Sequence, residues 1–169
     1  YTGMYSRKHY YGLFREAQEQ IKGLEIGRKA RAAGFSVGEN AGGEPEITFD
    51  SLGASYRLAL PEPDIFNARG RVMPLIMRVV TFHYLVNAEP MPLAGELVSL
   101  RKFPDLESYG ATIKWRSEDV LARTFGDAPG KFSEAAAGLA GIPLDIGDAA
   151  ARIYPLPMLP MTIVINGGD

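Results

Sequence analysis

The stretch "TFHYLVNAEPMPLAGELVSLRKFP", residues 81–104, reads as the end of an apolar helix running into a strand. Upstream of it and into its start, Val72, Leu75, Ile76, Val79, Val80 and Phe82 lie on nearly every side of a helix of about residues 72–88, with Arg78 as the one charged interruption. A helix that is apolar all round is a buried helix, so this is the expected central helix. Pro74 fits its first turn, where no amide hydrogen bond is lost. Downstream, "ELVSLRKF" (96–103) has strand character and "ATIKW" (111–115) is its expected hairpin partner.

Towards the N-terminus, Tyr10, Leu13, Phe14, Ala17, Ile21 and Leu24 form one apolar stripe at helical period, predicting a helix from about Met4 to Leu24. A short helix, 25–33, follows and is closed by Gly34. The period then changes to two. "EITFD" (46–50) puts Ile47 and Phe49 on one face, and "ASYRLAL" (54–60) puts Tyr56, Leu58 and Leu60 on one face. With Ser51-Leu52-Gly53 between them they predict a hairpin. "GENAGGEPE" before it reads as a mobile loop, and "PEPD" (61–64) ends it. Towards the C-terminus, Ser117 and Asp127 are candidate caps for two helices, the second with Phe132, Ala135, Ala136 and Leu139 inward and Gly141 as its stop. Two strands, 149–154 and 161–166, come last. Helices and strands are segregated rather than alternating, which predicts an α+β fold in a single domain, 1–169, with largely antiparallel sheets and helices flanking the central one.

Composition removes several classes of function. The chain has no cysteine, so no disulfide, zinc–cysteine site or iron–sulfur cluster is held within it. Twenty acidic and 18 basic residues give a net charge of −2, and no nucleic-acid partner is expected. The densest basic cluster, Arg28, Lys29 and Arg31, reads as a solvated helix face. The longest uncharged run, 153–168, is too short and too rich in proline for a membrane span. A cytoplasmic setting is the expectation.

No phosphate-binding loop, nucleophile elbow or H-E-x-x-H motif is present. Two histidines 74 positions apart cannot make a multi-histidine metal site. A calcium loop at 105–116 fails where Arg116 replaces the closing carboxylate. His83 is the most reactive-looking side chain, either a general base or a core histidine held by a carbonyl or carboxylate. Glu96 and Arg101 are its candidate partners, although i and i+5 on one strand point to opposite faces. Asp145 and Asp148, around Gly147, read as turn residues.

"FHYLVNA", "MPLAGELVSLRKFP", Tyr109, "ARTFG", "LAGIPLDIGDAA" and "LPMLPMTIVINGGD", in this order, resemble the prokaryotic family called domain of unknown function 3786. The matching residues include His83, Tyr84, Gly95, Glu96, Ser99, Arg101 and Pro104. Leu97 and Leu100 depart from it, since aromatic residues usually stand there. The resemblance implies a setting in anaerobes, no established reaction, and a strand and helix beyond Asp169 that this chain lacks. Some relatives are named as iron–sulfur proteins; without cysteine that name does not extend to this chain. The functional expectation is a non-catalytic binding or accessory subunit associated with anaerobic redox or one-carbon metabolism, working with a protein partner or as a homo-oligomer, its cofactor open. The alternatives are an enzyme acting on a small anionic substrate through His83, Glu96 and Arg101, and a structural subunit whose 161–166 strand is completed by a partner chain.

Overall fold

The computed structural model describes residues 7–167; the expected helix start at Met4 lies outside them. The chain forms two compact units: Tyr1–Pro92 with Leu156–Met158, and Leu93–Pro155 with Leu159–Asp169. Helices and two separate antiparallel sheets, of four and three strands, make it an α+β protein.

In the first unit, α1 (Arg7–Lys22) buries Phe14, Ala17 and Ile21 from the expected stripe. It packs on α3 (Leu75–Asn87), where Phe14 stacks on Phe82 with ring centroids 5.3 Å apart. α3 starts one residue after Pro74 and contributes Val79, Phe82 and Leu85 to the core, while Ile76 and Val80 face outward. Between them, α2 (Ile26–Ala32) ends in a Schellman motif. Phe35 N–H bonds Ala30 C=O at 2.8 Å and Gly34 N–H bonds Arg31 C=O at 3.0 Å, with Gly34 at φ +75°.

A four-stranded meander follows: β1 (Ser36–Glu39), β2 (Pro45–Ser51), β3 (Ala54–Ala59) and β4 (Asp64–Asn67). The expected hairpin is β2–β3, with Ile47 opposite Leu58 and Phe49 opposite Tyr56. Leu52 and Gly53, at φ 51° and 77°, form the two-residue loop that matches strand twist. One expectation is corrected. Residues 38–46 hold the end of β1 and a tight turn in which Asn40 Oδ1 accepts the amides of Gly42 and Glu44. The "PEPD" segment follows the end of the hairpin at Ala59, and Asp64–Asn67 then adds a further strand against β3.

The second unit departs furthest from expectation. Residues 96–103 are not a strand: 88–99 have no regular structure and Leu100–Lys102 make one 3-10 turn. Residues 111–115 are not their partner, since α4 (Gly110–Ile113), a π turn (Lys114–Glu118) and α5 (Asp119–Phe125) run on as helix. A strand exists only through a neighbour that takes its amides and carbonyls, and with 111–115 helical there is none among the described residues. Ser117 therefore lies inside a helix rather than capping one. α6 (Pro129–Ala137) starts on Pro129 with Ala128, not Asp127, at its N-cap. Its Phe132 and Ala136 are buried, whereas Ala135 and Leu139 are exposed, and Gly138 rather than Gly141 takes its C-cap position. β5 (Ile142–Leu144), β6 (Ala149–Leu156) and β7 (Leu159–Ile165) complete the unit. Phe132 and Ala136 pack on Ala149, Ala151 and Ile165.

Candidate functional site

His83 sits on α3 between buried Phe82 and Leu85 and is itself half-buried. Its carbonyl accepts the Asn87 side-chain amide at 2.8 Å. Its imidazole makes no hydrogen bond or ion pair among the described residues, so it is not a core histidine held by a carbonyl or carboxylate. Glu96 and Arg101 belong to the other unit. Both are exposed, and the guanidinium of Arg101 pairs with Glu118 at 2.9 Å. No single unit holds all three. The opposite-face argument for Glu96 and Arg101 falls away with the strand that carried it.

Around His83 the first unit is tied together by its neighbours. Tyr84 Oη donates to the Ala33 carbonyl at 2.7 Å, just past the end of α2, and accepts the Met158 amide at 3.0 Å. Burial pushes the phenol above its ordinary 10.0, and the Met158 amide pulls weakly the other way. The neutral phenol is therefore the folded state's preference. Its contribution to stability is whole below pH 10 and lost as pH rises through the higher folded value. Tyr84→Phe is expected to cost about 1–2 kcal/mol at pH 7, because two backbone groups lose their partner. It is also expected to flatten the alkaline fall in stability; urea unfolding from pH 7 to 11 measures both.

Lys29 is not on a solvated face, as the sequence suggested. It is 8% exposed, and its ammonium donates to the Ala88 carbonyl at 2.8 Å and to Glu89 at 3.1 Å. A cation here meets the free carbonyl end of α3. The signal was present in the spacing. Lys29 lies three residues after Ile26 and four before Ala33, on the apolar side of α2, whereas Arg28 and Arg31 share the other side.

Arg28 and Arg31 line an open cleft of about 380 Å³ within this unit, together with Pro90, Met91, Pro92 and Met158. Arg28 reaches Glu25 at 3.4 Å in a largely exposed pair, and Arg31 has no ion pair among the described residues. Met158 is seated closely: a side chain at Gly34 would place its Cβ 2.9 Å from Met158 Cγ and 3.1 Å from Pro157 Cβ.

In the second unit, the sequence turn around Gly147 does more than bond locally. Asp148 Oδ2 accepts the Gly167 amide at 2.7 Å across the sheet end. Among the described residues, no three His, Asp or Glu side chains are grouped to hold a metal ion, and no helix is long and apolar enough to cross a membrane.

These features describe an α+β protein with separate four- and three-stranded antiparallel sheets and a basic, methionine-lined cleft on the first of its units. The chain belongs to the family described as Domain of unknown function (DUF3786), whose model matches residues 26–169. No curated protein and no solved structure matches it.

Proposed function

We propose that the chain is a non-catalytic binding or accessory subunit that docks a partner polypeptide through residues 93–103. The family resemblance sets the search for that partner in anaerobic redox or one-carbon metabolism. The carrying observation is the state of this segment. Every residue from Glu89 to Phe103 is exposed, including Leu97 at 67%, Val98 at 53% and Phe103 at 48%. Scattered apolar side chains in water are ordinary, but a contiguous run of them marks an interaction surface. Among the described residues, no amide from Leu93 to Val98 donates to another backbone group. A sequence with strand character, apolar and unpaired, suits addition to the open sheet edge of another chain, which supplies both the ladder and the apolar cover.

The test uses the full chain, tagged and expressed in its own cell, with a photo-cross-linking residue at Val98. One partner is expected in stoichiometric amount, with the amides of 93–98 protected from hydrogen exchange in the complex. Leu97→Glu with Leu100→Glu is expected to abolish the complex while leaving the thermal midpoint within about 2 °C, since exposed substitutions away from structural features change stability little. A complex that survives the double variant, protection elsewhere in the chain, or a self-dimer through this segment overturns the reading.

A further inference from the structure

We propose that the cleft on α2 is a binding site for a small monocarboxylate with an apolar body. The charge balance selects the head group. Three cations lie on α2: Arg28, Lys29 and Arg31. Two carboxylates answer them, Glu25 on Arg28 and Glu89 on Lys29. One positive charge, that of Arg31, is left over beside the cleft, in a chain whose own net charge is −2. A guanidinium presents a rigid fork of donors that matches a carboxylate in two parallel hydrogen bonds. One surplus charge matches one carboxylate.

The lining selects the rest of the ligand. Pro90, Met91, Pro92 and Met158 supply apolar lining beside that of the arginines. Methionine side chains are unbranched and polarisable and fit themselves to varied apolar shapes. The volume, about 380 Å³, falls within the range of small-molecule sites.

The site is also held in place before any ligand arrives. Gly34 and the Tyr84 hydroxyl fix Met158. Lys29, through Ala88 and Glu89, fixes the start of the segment that carries Pro90 and Met91. A site whose walls are anchored loses less entropy on binding. The inference stands on α2 and this anchoring, independently of the 93–103 segment.

Hexanoate is the probe, with hexan-1-ol as its neutral counterpart and acetate as the head group without a body. The full chain, labelled at its methionine methyls, is titrated with each and followed by NMR. Hexanoate is expected to shift the Met91 and Met158 methyls saturably, and to bind at least about tenfold more tightly than hexan-1-ol, which lacks the charge-assisted bidentate contact, and than acetate, which lacks the apolar body. Arg31→Gln, an exposed change that leaves the fold intact, is expected to weaken hexanoate about tenfold. Arg28→Gln, whose charge Glu25 already answers, is expected to weaken it less. Equal affinity for hexan-1-ol, no loss in Arg31→Gln, or shifts confined to methionines outside the cleft overturns the proposal.

Discussion

Asp64→Ala is expected to cost about 3 kcal/mol of stability, the lower end of the range for stripping the partner from a buried charge. Arg78, in the first turn of α3, is 8% exposed. Its Nη1 donates to both oxygens of Asp64 at 3.0 and 3.1 Å, and its guanidinium lies 4.4 Å over the Phe14 ring. Its Nε is buried and has no hydrogen-bond partner among the described residues. Removing the carboxylate leaves a cation with an aromatic face and nothing else, and a cation–π contact of about 1–2 kcal/mol does not offset that desolvation. The Asp64 side chain is 27% exposed, so water reaches the gap and keeps the loss from the upper end. A second change separates the pair from the packing. Arg78→Met in the Asp64→Ala background removes the stranded charge and keeps the stem over Phe14, and it is expected to recover at least half of the loss. Urea unfolding followed by circular dichroism measures both. A loss below about 1 kcal/mol in Asp64→Ala, or no recovery in the double variant, would show that the ion pair does not join β4 to α3 energetically.

The same pair shows where the sequence is legible and where it stops. Arg78 stands out as the one charge in an apolar helix, but its partner, Asp64, closes "PEPD" in the sequence and opens β4, a four-residue strand, in the fold. Features set by near neighbours are readable: the α1 stripe, the β2–β3 hairpin with Leu52-Gly53 at its turn, and Gly34 past the end of α2. Each depends on periodicity or on a backbone angle that few residues adopt. Features set by distant neighbours are not. "ELVSL" has strand composition, yet strand composition reports a fit to a pleated, half-buried surface, and residues 93–98 pair with no strand among the described residues. "ATIKW" alternates over five residues, too few to outweigh the helix that runs from Gly110 through Phe125. The candidate site follows the same division. His83, Glu96 and Arg101 are visible because reactive residue types are visible. The cleft is not, because it is made by side chains from α2, from 90–92 and from Met158, which sequence distance keeps apart. The helical spacing of Arg28 and Arg31 was its one local trace.

Two glycine substitutions in the second unit are expected to move stability in opposite directions, and their contrast tests how the turn before β6 is built. Gly147→Ala is expected to lose about 3 kcal/mol. Gly147 holds φ +63°, a region that costs a residue with a Cβ about 1–2 kcal/mol. The added Cβ would also stand 2.6 Å from Asn166 Oδ1, 2.7 Å from Val164 Cγ1 and 3.1 Å from the Ile165 carbonyl. The side chains can turn away, but the carbonyl cannot move freely, because it accepts the Asp148 amide at 3.1 Å. Overpacking of this kind adds about 1–3 kcal/mol. Gly130, near the start of α6, has no heavy atom within 4 Å of the position of an added Cβ. There alanine narrows the unfolded ensemble and improves helix propensity, so Gly130→Ala is expected to gain about 0.5–1 kcal/mol. Trp115 is the only tryptophan in the chain and belongs to this unit, so its fluorescence in a urea titration reports on the unit directly. If crowding and backbone angle at the turn govern, the two variants separate by about 4 kcal/mol. If both fall together, glycine at Gly147 answers to something other than the space between β7 and the 145–148 turn.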